Sequence, residues 1–368
     1  MQAPFGGAFT GTRVLVTGHT GFKGSWLTRW LLDLGAEVTG YALEPDTTPS
    51  LFSDLRLGAD VDSRIGDVRD AERLAALVAE VRPEVVLHLA AQPLVRRSYA
   101  EPRYTFETNV LGTVNLLEAV RAQGECRVVV NVTTDKVYAN PETGEPFAEK
   151  SPLGGFDPYS ASKAASEIVT ASYRDAFFSA EGSAAIATAR AGNVIGGGDW
   201  ATDRIVPDCA RALAAHESVV VRNPASVRPW QHVLEPLSGY LRLAALLLAD
   251  SSLAGPFNFG PDTASSRTVS ELVEAFVSAW GEGSWSVSDE TRQPHEAAQL
   301  RLDIGKAERQ LAWRPLWSFD ETVARTACWY RAYASGESAE ALVRSDISAY
   351  ESAACAGGAA WAGREIAT

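Results

Sequence analysis

The chain has 368 residues, 46% of them hydrophobic and 21% charged, which suits one large or two medium globular domains. Its net charge of −13 argues against a general nucleic-acid or membrane-surface binder, though a locally basic pocket for an anionic substrate remains compatible with it. No run of about 18 uncharged apolar residues predicts a membrane helix. The start, "MQAPFGGAFTGTR", has neither the basic region nor the apolar core of a signal peptide. After it, "RVLVTG" reads as a short apolar strand and "KGSWLTRWLLDLG" as a helix stopped at Gly35. "AEVTGYAL" is the second strand. A helix around "DAERLAALVAEV" leads through Arg82-Pro83 into the strand "EVVLHLAA". The segment "TNVLGTVNLLEAVRAQG" is a helix, "VVVNV" a buried strand, "PYSASKAASEIVTASYRDAFF" a long helix, and "AAIATARAGNVIG" another strand. Strand–helix alternation of this kind predicts an α/β fold with a Rossmann-type doubly wound parallel sheet.

Beyond Gly196 the alternation is lost in "GGGDWATDRIVPDCARAL". The reading is therefore a first domain over 1–192, to which 223–256 returns, and a smaller C-terminal substrate lobe from 193–222 and 257–340. The remainder, 341–368, is poor in complexity and reads as a frayed tail. Cys126, Cys209, Cys328 and Cys355 lack CxxC spacing, which fits a reducing, cytoplasmic setting. His19, His88, His216, His232 and His295 show no metal-ligand spacing, so no metal site is expected. His88 and His232 read as satisfied core histidines. The ten tryptophans read as packing, with Trp200 a possible pocket wall.

Three patterns carry chemistry. "VTGHTGFKG" places Gly18, Gly21 and Gly24 between a strand and a helix, a G-x-x-G-x-x-G turn. Glycines there let the backbone approach a pyrophosphate that rests on the helix N-terminus. In "YSASK", Tyr159 and Lys163 stand at i, i+4 on one helical face. An ammonium ion so placed lowers a tyrosine pKa and makes a phenolate available as base. Third, the strand "VVVNV" runs into Thr133, Thr134, Asp135 and Lys136, an unusual place for an acid and an amine. For any one such strand end taken alone, a solvated loop start is the better explanation.

With "HLAAQ" and "TNVLGT", these motifs resemble the extended short-chain dehydrogenase/reductase superfamily of nucleotide-sugar enzymes, over most of the chain to about residue 330. "VTGHTGFKGSW", "AAQPLVRRSY", "TTDKVY", "ARAGNVIGGGDWA" and "RPWQHVLEPL", in that order, are similar to its CDP-glucose 4,6-dehydratase branch. The resemblance implies NAD, a nucleotide-sugar substrate with CDP-glucose favoured, a homodimer and a lyase of deoxysugar biosynthesis. It further implies that Gly18, Gly21, Phe22, Lys23, Gly24, Asp67, Val68, Leu89, Ala90, Ala91, Thr108, Tyr159 and Lys163 hold the cofactor. By the same resemblance, Thr134 assists Tyr159 and Lys163 in oxidising C4 of the sugar, and Asp135 protonates the departing 6-hydroxyl. Lys136 stands where most dehydratases have a glutamate base. It is either a neutral base for C5 or a charged stabiliser of the enolate. Gln92, Asn193, Arg204, Arg228 and Arg301 are the substrate-binding candidates, the arginines for a diphosphate. One departure stands out. Ala42, with Glu44 two residues on, occupies the slot where an acid usually binds the adenosine ribose. A 4-epimerase shares everything except a use for Asp135, and a non-catalytic dinucleotide-binding regulator would need neither Tyr159 nor Lys163.

Overall fold

A computed structural model describes residues 3–262, 265–288 and 300–363. Its centre is a parallel sheet of β1 (Arg13–Thr17), β2 (Glu37–Ala42), β3 (Asp62–Ile65), β4 (Val85–His88), β5 (Val128–Val132), β6 (Ala185–Ala191) and β7 (Pro256–Phe259). The spatial order is β7-β6-β5-β4-β1-β2-β3. β5 and β6 are buried at every position, as strands covered on both faces must be. The chain leaves β1 in one direction and returns at β4 in the other, so a crevice opens between their carboxyl ends. That is where doubly wound sheets bind ligands.

Four helices position the residues around this crevice: α1 (Phe22–Asp33), α2 (Ala71–Val81), α3 (Gly112–Gln123) and α4 (Pro158–Phe177). α4 begins where it does for a local reason. Asp157 caps it, accepting from the Ser160 N–H at 3.0 Å, and Pro158 occupies the first turn, where its missing N–H costs nothing. Tyr159 is thereby fixed one residue inside the helix. Below the sheet, α5 (Leu234–Leu247) buries Leu234, Leu237, Leu241 and Ala244 in the main core.

Three expectations are corrected. The strand β7 belongs to the central sheet, whereas the sequence reading began the substrate lobe at 257. Phe257 and Phe259 are fully buried there, and four residues beside glycine gave too short a signal. The supposed tail contains a helix, α6 (Ala339–Ala356), and is packed as far as Gly363. Trp361 stacks on Phe5 at 4.8 Å, and the Tyr350 hydroxyl donates to the buried Glu235 carboxylate at 2.6 Å. Finally, the helix read from Thr108 onward starts as a π-turn over Glu107–Leu111, preceded by short helices at Val95–Ala100 and Pro102–Phe106.

Candidate active site

At the β1–α1 turn, Gly18 has φ +79°, and a Cβ on it would lie 2.7 Å from the Ala90 nitrogen. A Cβ on Gly24 would fall 2.0 Å from the Gly18 carbonyl oxygen. Only glycine fits either position. Gly21 is the N-cap of α1, followed by Phe22 and Lys23, so the free N–H groups of a twelve-residue helix face the crevice. Opposite them, Leu89 and Ala90 leave β4 with N–H groups donating to the Thr17 carbonyl and hydroxyl at 3.0 and 3.2 Å, and Ala91 follows. Thr108 contributes a buried hydroxyl that has no partner. This glycine-walled cradle with an orphaned hydroxyl and a helix N-terminus fits a dinucleotide. Val68 packs on Gly112. Burial alone would raise the Asp67 pKa, but the Arg69 guanidinium and N–H hold the carboxyl below its usual range. At the end of β2, the His19 ring fills the space over Gly40 and bonds Ser63 at 2.7 Å.

At the end of β5 the chain leaves the sheet. Thr134 is extended and caps a single 3-10 turn, Asp135–Val137. Its hydroxyl donates to Asp135 Oδ1 at 2.9 Å. Asp135 is 1% exposed, and its Oδ2 has no hydrogen-bond partner. Burial raises its pKa, opposed by Lys136, Thr134, Arg228 and Lys23. Tyr159 is pushed up to about 12 by burial, with the Thr134 hydroxyl acting against the shift. Lys163 donates from Nζ to the Val132 carbonyl at 3.1 Å and is pulled down to about 8 by burial. Thr134, Asp135 and Lys136 thus lie at the end of β5, near Tyr159 and Lys163 of α4.

Lys23 joins them. Burial pulls it down to about 8, and it feels Arg204, Asp135 and Lys163. Its charge therefore reaches the reacting end of the crevice. Arg204 is ion-paired with Asp199 at 2.8 Å and interacts with Tyr159. Arg228 is buried and acts on Asp135. Asn193 is half-buried between β6 and the short strand Val194–Ile195. Two candidates are placed differently. Gln92 uses its side-chain amide to brace its own loop, donating to Leu94 and Thr105 and accepting from the Leu94 N–H. Arg301 is tied to the Gly144 carbonyl. Trp200 is half-buried and packs edge-on against the core residue Tyr330. His88 bonds Thr17 at 2.6 Å, whereas His232 Nε2 is buried without a partner. His295 lies outside the described residues.

Two features went unread in the sequence. Glu167, one turn after Lys163 on α4, accepts from Thr133 and Thr188 and pairs with Arg190 at 2.7 Å. The spacing from Tyr159 and Lys163 was visible, but Arg190 becomes its neighbour only through the sheet. Gly192 is the other. A Cβ on it would lie 2.9 Å from Asp135 Oδ2, so a side chain there would press on that buried carboxylate.

A family described as GDP-mannose 4,6 dehydratase matches residues 15–326. The chain belongs to this family. CDP-glucose 4,6-dehydratase of Salmonella typhimurium is 48% identical to this dehydratase-family chain over 348 residues, covering 93% of it and 97% of the relative. Among solved structures, dTDP-glucose 4,6-dehydratase from Streptomyces venezuelae with NAD bound matches at TM-score 0.74 and 31% identity, covering 87% of this chain and 97% of that one. The UDP-glucose 4-epimerase of Thermus thermophilus, also complexed with NAD, matches at TM-score 0.73 and 29% identity, covering 87% and 99%. The family's shared frame thus hosts both dehydration and epimerisation, and side chains must separate them.

Proposed function

We propose that this member of the family dehydrates CDP-glucose to CDP-4-keto-6-deoxyglucose with NAD as resident cofactor. The observation that carries it is the buried Oδ2 of Asp135, which has no hydrogen-bond partner and lies close to Tyr159. An epimerase has no use for an acid at the 6-hydroxyl. The CDP assignment is supported by the 48% identity to the Salmonella enzyme. Gly18, Gly21, Phe22, Lys23, Gly24, Asp67, Val68, Leu89, Ala90, Ala91 and Thr108 would hold the cofactor. NAD, when bound, supplies a hydride acceptor for C4 and a hydride donor for C6.

The chain's own groups manage the protons. Tyr159 takes the 4-hydroxyl proton, with Lys163 stabilising the phenolate and Thr134 steering the hydroxyl. The resulting ketone acidifies the C5 proton. Asp135 then protonates the departing 6-hydroxyl, while Lys136, next in the same turn, serves the C5 position. Arg204, Arg228 and Asn193 are assigned to the nucleotide-sugar, the guanidiniums to its diphosphate. A lobe from 193–222 and the residues after β7 would carry that half of the ligand.

Incubation with CDP-, dTDP-, GDP- and UDP-glucose tests the reading. Loss of one water from CDP-glucose, fastest of the four, is expected. Formation of a 4-epimer without water loss contradicts it.

Two finer assignments accompany it. A homodimer is supported by Ile168 and Phe177 on α4 and Leu111 ahead of α3, apolar side chains at least half exposed that a two-fold helix pairing would cover. Sedimentation at micromolar concentration should give twice the chain mass, and monomer alone refutes it. A cytoplasmic setting is supported by four unpaired cysteines.

A further inference from the structure

The turn that carries Thr134, Asp135 and Lys136 is tied down at both ends. At its entry the Thr133 hydroxyl donates to Glu167 Oε1 at 2.5 Å, and the Thr133 N–H to the Ala189 carbonyl at 2.9 Å. At its exit the Tyr138 hydroxyl accepts from Arg190 Nη1 at 2.9 Å and donates to Asn258 Oδ1 at 2.7 Å. The Arg190 guanidinium also lies over the Tyr138 ring, 5.1 Å from its centre. The two tying residues bind each other. Arg190 Nη2 meets Glu167 Oε2 at 2.7 Å, and Thr188 donates to the same oxygen at 2.8 Å. Thr133, Tyr138, Glu167 and Arg190 are all buried. Between the ties the turn closes loosely. The Lys136 and Val137 N–H groups approach the Thr134 hydroxyl and carbonyl at 3.4 Å each, long for such bonds.

We propose that Glu167 and Arg190 are positioning residues for the elimination step. As one ion pair they clamp the turn, Glu167 through Thr133 and Arg190 through Tyr138, and so fix where Asp135 and Lys136 meet the sugar. The role rests on the dehydratase reading above. A single 3-10 turn with long internal bonds has little stiffness of its own, so its shape is set by what holds its ends. The clamp is also a poor device for stability alone, because apolar side chains of like volume often serve a core as well as a buried ion pair or better. What they cannot supply is direction. A carboxylate and a planar guanidinium fix the geometry of their bonds to Thr133 and Tyr138. Tyr159 and Lys163 are placed by other means. They stand on α4 itself, and Lys163 is fastened to the Val132 carbonyl at 3.1 Å, before the turn begins. Loosening the clamp therefore reaches the elimination groups ahead of the oxidation groups.

The test cuts each tie while leaving the ion pair whole. Thr133→Val removes the entry bond, Tyr138→Phe the exit bond, and Thr133→Ser restores the entry hydroxyl. Oxidation and elimination are timed separately in a single turnover of CDP-glucose. In Thr133→Val and Tyr138→Phe elimination should slow by about 10- to 100-fold with oxidation within about threefold of wild type, the effect of a small displacement of the acid. Reduced nicotinamide should then accumulate. Thr133→Ser should recover elimination to within about threefold. Equal slowing of both steps, or no slowing of either, would mean that the pair serves the fold alone and would overturn the proposal. A second readout needs no substrate. Hydrogen exchange of the backbone amides of residues 134–138 should quicken by about tenfold or more in both tie-cutting variants, while that of β5 and α4 is unchanged. Unchanged exchange in the turn overturns the clamp whatever the substrate is. Quickened exchange in a protein that dehydrates no nucleotide-glucose would instead refute the dehydratase reading.

Discussion

Glu167 and Arg190 form an ion pair at 2.7 Å with both side chains 3% exposed, behind the turn that carries Thr134, Asp135 and Lys136. Arg190 also reaches Tyr138, which bonds Asn258, so the pair ties α4, β6, β7 and that turn together. Breaking a buried pair from one side leaves an uncompensated charge and costs about 3–5 kcal/mol. Arg190→Met should therefore lower stability by about that amount. The double variant Arg190→Met/Glu167→Gln should lose less than the sum of the two single losses. Denaturant titrations check this, and strict additivity would show the pair to be uncoupled.

Gly192 gives a sharper probe of Asp135. Gly192→Ala places a methyl 2.9 Å from Oδ2, the end of a side chain that can swing away, so stability should barely change. The swing displaces the acid from the 6-hydroxyl. A misplacement of this size is expected to slow elimination by about 10²-fold. Oxidation should survive, and the absorbance of reduced nicotinamide should rise and persist. Equal loss of both half-reactions would argue against this geometry.

The roles at the strand end can be ordered in time. Asp135→Asn should leave oxidation largely intact and slow elimination by about 10²–10⁴-fold, the usual contribution of a positioned proton donor. Lys136→Ala should also trap the oxidised sugar and reduce exchange of the C5 proton with deuterated solvent. Tyr159→Phe should block oxidation before any reduced cofactor appears. Loss of oxidation in Asp135→Asn with normal binding of both ligands would reassign that carboxylate to substrate orientation.

Lys163 sets a pH limit. Burial pulls it down to about 8, with Glu167 acting to raise it. In the role proposed for it, its ammonium supports the Tyr159 phenolate and predominates below that value, so oxidation should fall as pH rises through about 8. Lys163→Arg, charged throughout, should lack that limb. Glu167→Gln removes the opposing charge and should shift it to lower pH. A limb unchanged in all three proteins would exclude Lys163 as its source.

The legible parts of the sequence were those with local signals. Strands β1, β2, β4, β5 and β6 are apolar runs, the glycine turn has fixed spacing, and Tyr159 and Lys163 share a helix face. β3 escaped because "DSRI" has polar residues at an outer strand, where only half of each residue is covered. β7 and α6 escaped because their burial depends on partners far along the chain, Arg190 and Ala191 for β7 and Glu235 and Phe5 for the C-terminal segment. The same distance hid Glu167–Arg190 and the close approach of Gly192 to Asp135. Gln92 shows the converse. A polar residue in a ligand-like motif spends its bonds on its own loop.

The dehydratase account turns on one transfer, the return to C6 of the hydrogen taken from C4. CDP-glucose carrying deuterium at C4 should yield CDP-4-keto-6-deoxyglucose with that deuterium in its C6 methyl group, at close to one atom per molecule. Product unlabelled at C6, or label released in free reduced cofactor in step with turnover, would contradict it.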